Sequence, residues 1–430
     1  MAAGYRVQNL RLQSGERLSL LVEAATGVPL WNPTLFVLTE LRATNRASAT
    51  IQQATRALMV AHQVLDHLRI DLNARLAEGR LLDVGELDEM VHLAGLTQEA
   101  LDDLVADDVE PGSRPVRVMS TEKLRMHATP VDPRHWIGAE TKGIRLMYIR
   151  NYIEWLAHRK LLRFDSRDPA HQALTTTAQL VIGRLSERIP TSSRNNDVGM
   201  RQGVGPDVCD RITQVIHPDS PENPWKNKHV RARNHLIFLW LLELGLRKSE
   251  LLGIRLGDID LRSGEVLIAR RADDPLETRK DAPHTKTKDR LLVMTDDLAE
   301  LTRAYLHGAR RAIKPTRSHP YLFVATGTGR PLTKSAVTKL FIELRTRVPE
   351  LPDELSPHVL RHTWNDKFSA LMDERGVSPE DEERMRKQQM GWSDTSRMAA
   401  LYTRRHTQRK ANEASLAMQA ASFGMKKRRT

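Results

Sequence analysis

The chain has 430 residues, too many for one ordinary compact core, and 40% of them are apolar, enough to build two. Lysine and arginine number 66 against 54 acidic residues, a net charge of +12 with a pI near 9.9, which points to a polyanionic partner, nucleic acid being the commonest case. A single cysteine, Cys209, excludes an intramolecular disulfide and argues against a cysteine-based metal site, as suits a reducing cytosol. The N-terminal stretch lacks the apolar core of a secretory signal, and the longest apolar run, Leu236–Leu242, is too short for a bilayer. The expectation is a cytoplasmic protein with no membrane partner.

Residues 1–30 alternate weakly between apolar and polar and predict a strand pair or an arm. From Asn32-Pro33 the sequence reads as two helices, since proline suits a first helical turn. The second carries the stripe Leu58, Val60, Ala61, Val64, Leu65 and Leu68. VGELDEMVHLAGLTQEALDDLV predicts one more helix and KGIRLMYIRNYIEWLAHRKLL another. These make a helical domain over 31–165. Its arginines, Arg42, Arg46, Arg56, Arg145, Arg150 and Arg159 among them, suit either a solvated face or phosphate contacts.

Glycine, proline, serine and asparagine then cluster from about 190 to 228, which reads as a linker followed by a loop with a short helix around PDVCDRITQVI between, and the linker is placed over 166–204. HVRARNHLIFLWLLELG is apolar on nearly all sides and predicts a buried helix stopped by Gly245. EVLIAR and RLLVMT read as strands. Helices follow over 296–311, after Thr333, after Ser356-Pro357 and after Ser378-Pro379, each cap and proline marking a start. The chain closes on a helix around TQRKANEASLAMQAA and a basic tail, 426–430. The fold expected is mainly α (α+β): a helical first domain, then a mixed domain over 205–425 with a small antiparallel sheet.

Breaking a phosphodiester without metal or activated water needs an in-line nucleophile, cations on the non-bridging oxygens and an acid for the leaving oxygen. Arginine binds phosphate oxygens with a planar fork and keeps its charge. Lysine can lose its proton where cations crowd it, and tyrosine can form a covalent ester. The chain offers Arg247 just after Gly245, Lys286 and Lys288 before a strand, and His358 with Arg361 one helical turn apart. Trp392 and Tyr402 follow, the latter flanked by Thr403, Arg404 and Arg405, a setting that suits a phosphate contact better than a deep core. Taken singly, Arg247 is an ordinary surface arginine and Tyr402 an ordinary aromatic. His358 and His362 have the spacing of a helical zinc pair, but Val359 stands where a metalloprotease needs its glutamate and no third ligand motif is evident.

In order and content these pieces resemble the tyrosine recombinases, the family of phage integrases and chromosome-dimer resolvases, over about 205–410. The residues are Gly245-Leu246-Arg247-Lys248-Ser249-Glu250-Leu251, Lys286-Thr287 through Leu291, His358 with Arg361 and His362, Met390-Gly391-Trp392, and Tyr402. The segment over 31–165 resembles the family's core-binding domain. The chain departs from the pattern in a longer Trp392–Tyr402 gap, a long Arg361–Trp392 gap filled by DERGVSPEDEERMRKQ, and a choice between Lys286 and Lys288.

The resemblance implies a site-specific recombinase that clamps duplex DNA and cleaves it through a 3′-phosphotyrosyl intermediate. Arg247, Arg361 and His358 would hold the phosphate, Lys286 would be the acid, Trp392 would donate its indole N–H, and Tyr402 would attack. His362 would support the site and Glu250 would anchor the Arg247 loop. It implies no cofactor, double-stranded DNA as partner, and a tetramer on two DNA sites that exchanges the helix near 407–422. The other readings are a catalytically inactive DNA-binding protein of the same fold, or a type IB topoisomerase or telomere resolvase.

Overall fold

The computed structural model describes residues 4–107, 133–190, 203–283 and 287–427. The chain divides into two compact units, Met1–Asp197 and Val198–Thr430, each with its own apolar core. Both are mainly helical, and each carries a small antiparallel sheet. No helix among the described residues is long and apolar enough to cross a membrane.

In the first unit β1 (Tyr5–Arg11) and β2 (Arg17–Glu23) form a hairpin in register from Tyr5 opposite Glu23 to Arg11 opposite Arg17. Leu18, Leu20, Leu21 and Val22 are buried in the unit's core, so the start of the chain is the strand pair of the two expectations, packed onto the helices. Helix α1 (Trp31–Phe36) has Pro33 in its first turn and runs on into a wider π-helical turn to Arg42. Helix α2 (Ser48–His67) buries the predicted stripe from Leu58 to Leu65.

Helix α3 (Leu72–Ala77) is capped by Asp71, and α4 (Val84–Leu93) opens on a reciprocal Asp83–Glu86 cap. The single helix expected over the next stretch is two, α4 and α5 (Gln98–Asp107), because the chain around Trp136 closes across the break. Ile137 N–H donates to Gly95 C=O at 2.9 Å, and a side chain at Gly95 would meet the Trp136 ring at 2.9 Å. Helix α6 (Ala139–Leu161) follows.

Residues 166–190 do not behave as the predicted linker. Asp168 caps, and Pro169 starts, helix α7 (Pro169–Arg188), whose Leu174, Ala178, Val181 and Leu185 complete the first core. Those four positions recur at helical spacing, but the run Thr175–Thr177 between the first two dilutes the signal. The division between units falls after Asp197.

The second unit begins with α8 (Pro206–Ile216) and the central α9 (Lys228–Glu243), capped by Asn227 and buried on most sides as its sequence requires. Its Trp240 indole donates to Thr302 at 3.1 Å, the pairing a buried indole needs. Helix α10 (Lys248–Gly253) follows, then β3 (Ile259–Asp260), β4 (Glu265–Ile268) and β5 (Arg290–Val293), paired in that order and all antiparallel.

The long β4–β5 connection is pinned by Arg279. This buried guanidinium grips Glu277 and donates to the carbonyls of Leu252 and Leu332. Helices α11 (Asp296–Tyr305), α12 (Lys334–Arg347), α13 (Pro357–Glu374) and α14 (Pro379–Met390) start on Thr295, Thr333, Ser356 and Ser378, each of which accepts an N–H of the first turn. Helix α15 (Met398–Lys427) ends the described chain.

Phe341 and Phe238 meet in the second core at a ring separation of 4.5 Å, both essentially unexposed. Phe341→Ala is expected to cost about 3–5 kcal/mol, the range for a buried aromatic cut to a methyl. The check is a lowered midpoint in urea unfolding followed by near-ultraviolet circular dichroism.

Candidate active site

Helix α9 stops because Gly245 turns the chain left-handed, at φ +60°. A side chain there would lie 2.8 Å from the Trp364 ring, so the turn needs glycine for space as well as for angle. Leu246 is buried and anchors the turn, and Arg247 emerges with its side chain about one-third exposed. Arg247 stands at the cap of α10, where its backbone N–H donates to Glu250 Oε2 at 2.9 Å and its Nη1 to Glu250 Oε1 at 3.1 Å.

Glu250 has no exposed side-chain surface. It also accepts from Thr287 Oγ1 at 2.8 Å and Arg290 Nη2 at 2.9 Å, and lies 3.5 Å from Arg361 Nη1. Burial pushes its carboxyl up, but Arg290 and then Arg361 outweigh that and hold it at about 2.

Arg361 lies on α13 and is buried. Its Nη1 donates to Gly245 C=O at 2.6 Å, and its guanidinium sits 5.6 Å from the Trp392 ring centre. Burial and then Arg247 pull it down to about 9, with Glu250 opposing, so it is charged at neutral pH.

Helix α14 ends on Gly391, left-handed at φ +64°, where a side chain would lie 2.8 Å from Lys288 C=O and 2.9 Å from Arg290 Nη1. This close approach lets Lys288 N–H donate to Gly391 C=O at 2.9 Å, which ties the start of β5 to the turn carrying Trp392. The Trp392 indole N–H is buried and has no hydrogen-bond partner among the described residues.

Tyr402, in the second turn of α15, stacks on Trp392 with ring centres 5.8 Å apart and planes 9° apart. Its hydroxyl bonds His362 Nδ1 at 2.7 Å. His358 is exposed, one turn before His362, and meets that ring edge-on at 4.3 Å.

The structure therefore brings together Arg247, Arg361, Trp392 and Tyr402, with His358 joined through His362. Lys286 lies outside the described residues; its neighbour Thr287 is held at Glu250. The alternative Lys288 is exposed and paired with Asp394 at 3.1 Å. One expectation is reversed: Tyr402, read as too polar in its surroundings for a core, is 2% exposed.

Sequence reading also passed over Arg386. It is buried in α14, paired with Glu382, donates to Asn365 and Ser369, and lies 5.5 Å from the Tyr402 ring centre. The Glu382–Arg386 spacing of four is a visible helical pair, but nothing in the sequence tells a buried pair from a solvated one. Glu250 was legible as an anchor, whereas its partners Thr287 and Arg290 were not.

Residues 208–409 match the phage integrase family. Over 227 residues the chain is 27% identical to the tyrosine recombinase XerD of Halalkalibacterium halodurans, covering 53% of this chain and 61% of that protein. Over 153 residues it is 26% identical to the tyrosine recombinase XerA of Saccharolobus solfataricus, covering 35% of this chain and 40% of that protein. The chain thus spans less than two-thirds of the curated relatives it matches. Among solved structures it is similar to the XerH site-specific recombinase bound to palindromic difH substrate, with TM-score 0.41 and 16% identity over 74% of this chain and 88% of that one. The residues that match all lie in the second unit.

Glu250→Gln removes the carboxylate that offsets two buried guanidinium groups. It is expected to destabilise the second unit by about 3–5 kcal/mol. The Glu250 carboxyl is held below the ordinary 4.5, so its contribution is complete above that pH and is lost as pH falls through about 2. Urea midpoints measured between those values should fall steeply for the wild type and more shallowly for Glu250→Gln.

Proposed function

We propose that this protein is a site-specific DNA recombinase that cuts and rejoins duplex DNA through a 3′-phosphotyrosyl intermediate, in the service of a mobile element. The observation that carries this reading is one cluster drawn from distant stretches: Arg361 beneath Trp392, Trp392 stacked on Tyr402, and Arg247 linked to Arg361 through Glu250. The match of residues 208–409 to the phage integrase family supports it, as does similarity to proteins named tyrosine recombinases.

Arg247 and Arg361, assisted by His358, grip the non-bridging oxygens of the scissile phosphate, where charge gathers in the transition state. The Tyr402 oxygen bonds to phosphorus and the bond to the 5′-oxygen breaks. Lys286 protonates that oxygen. The indole N–H of Trp392, buried and unpartnered, becomes a further donor to the phosphate. The ester conserves the energy of the broken bond, so attack by another 5′-hydroxyl reseals the strand without ATP or metal. The protein works in the cytoplasm as a tetramer on two DNA sites, and the exposed later turns of α15 are the element exchanged between neighbours.

A nicked suicide duplex that traps the cleaved strand tests this. Wild-type protein is expected to form a covalent protein–DNA adduct. Tyr402→Phe should abolish the adduct and retain DNA binding. An adduct that survives in Tyr402→Phe refutes the assignment, and binding without any wild-type adduct favours an inactive DNA-binding protein. Relaxation of supercoiled DNA with no need for paired target sites favours a topoisomerase.

Trp392→Phe keeps the stacked ring and removes the indole N–H. It is expected to slow cleavage roughly 10²-fold, as loss of one transition-state donor does, with DNA binding retained in a gel-shift measurement.

A further inference from the structure

Arg386 comes from the long Arg361–Trp392 interval and has no exposed side-chain surface. Its Nη1 donates to the carbonyl and the side-chain oxygen of Asn365, both at 3.0 Å. Its Nη2 donates to Ser369 Oγ at 2.6 Å and to Glu382. Its Nε–H is buried and has no acceptor among the described residues. Two apolar side chains of similar volume would join α13 to α14 at equal or lower cost. What they would not supply is a fixed positive charge beside an aromatic ring.

The guanidinium lies 5.0 Å from the Phe368 ring centre and 5.5 Å from that of Tyr402, distances at which a ring face attracts a cation. Phe368 stacks on Trp364 at 5.0 Å, and Trp364 is the ring that crowds Gly245. Asn365, which receives Arg386, donates in turn to Arg361 C=O at 2.8 Å. Asn365, Phe368 and Ser369 all belong to α13, the helix that carries Arg361. The charge beside Tyr402 is therefore fastened to the same helix as the buried guanidinium of the clamp.

Tyr402 sits on a different helix, α15, and needs such a reference. Trp392 sets the plane of its ring, but stacked rings are tolerated over a broad range of offsets. The His362 bond holds the hydroxyl at one point only. We infer that Arg386 is a positioning residue for the nucleophile: a buried cation, fastened to the helix of Arg361, that sets where the Tyr402 ring rests on Trp392 and hence where the phenol oxygen meets phosphorus. This role rests on the recombinase reading above. Arg386 does not touch the reacting atoms, so it governs the rate of attack and leaves DNA binding unchanged. Misplacing a reacting group by about 1 Å costs on the order of 10²-fold in rate.

The test compares wild-type protein with a paired variant, Glu382→Gln together with Arg386→Met, which removes both charges and leaves neither buried alone. Each protein is measured for gel-shift affinity to duplex DNA and for single-turnover adduct formation on the nicked suicide duplex at saturating protein. Each is also prepared with fluorotyrosine in place of Tyr402, whose fluorine resonance reports the order of that ring. The paired variant should bind DNA as wild type does and form the adduct about 10²-fold more slowly. Its fluorine resonance should broaden or split, where wild type gives one narrow line. An ion pair that serves folding alone would leave both the rate per bound complex and the resonance unchanged. Arg386→Lys keeps the charge and removes the planar fork that Asn365 and Ser369 hold. It should also slow the adduct and broaden the resonance.

The inference is overturned if the paired variant forms the adduct at the wild-type rate, if weaker DNA binding accounts for its slower rate, or if it is slowed while the resonance stays narrow. Should the paired variant fail to fold, Arg386→Lys decides, and a wild-type rate with a narrow line there overturns the inference. A wild-type protein that forms no Tyr402 adduct overturns the recombinase reading and this role together. A wild-type adduct matched in rate by the paired variant overturns this role alone.

Discussion

Glu250 places a fully buried carboxylate among the guanidinium groups of Arg247, Arg290 and Arg361. Taking an ion out of water costs several kcal/mol, and an isolated buried carboxyl would give up its charge instead. Here it stays ionised because three cations and the Thr287 hydroxyl replace its water. The exchange works in the other direction too. Arg361 can be buried at 1% exposure because Glu250 and two backbone carbonyls receive it. Three positive charges against one negative still leave an excess, and Arg247 is the member with exposed surface. A site balanced for its own folding would be neutral; one with surplus fixed cations is prepared for a further anion.

Two glycines make that cluster geometrically possible. Gly245 lets the end of α9 approach Trp364 and present its carbonyl to Arg361. Gly391 lets the end of α14 approach the start of β5 and brings Trp392 over Arg361. Each adopts a left-handed angle, and each is crowded by atoms that a side chain would strike. The strand and the tryptophan turn are thus linked by a backbone hydrogen bond, and the arginine turn is joined to them through the buried side chains of Glu250 and Arg361. Such fixed support keeps a charged site ordered before its ligand arrives.

The signals legible in the sequence were local ones. Ser356-Pro357 and Ser378-Pro379 marked helix starts because a cap and its proline act within one turn. The composition of α9 announced a helix buried on most sides. What failed to show was set by distant chain. The break between α4 and α5 depends on Trp136, about forty residues on. Helix α7 was obscured by threonines whose cost the core repays through four well-spaced apolar residues. The site residues were recognisable as an ordered set, yet the partner of the Tyr402 hydroxyl was not. Two histidines one turn apart are equivalent in sequence, and only packing makes one face solvent and the other the phenol.

The burial of Tyr402 has a physical cause in the long Arg361–Trp392 interval. That interval holds the rest of α13 and helix α14, whose Arg386 is buried with Glu382 and with Ser369 and Asn365 of α13. Burying this pair without good partners would destabilise the unit, and the network supplies them. The guanidinium then lies near one ring of the Trp392–Tyr402 stack, where an aromatic face attracts a cation. Helix α15 is fastened by Ala399, Tyr402 and the Asp373 contacts of His406 and Lys410, and its side chains from Glu413 to Ala421 are exposed. These contacts, among the described residues, fall between Ala399 and Lys410, in the turns around Tyr402. The position of the phenol oxygen therefore depends on the Trp392 stack, the Arg386 charge and the His362 bond more than on the length of the helix that carries it.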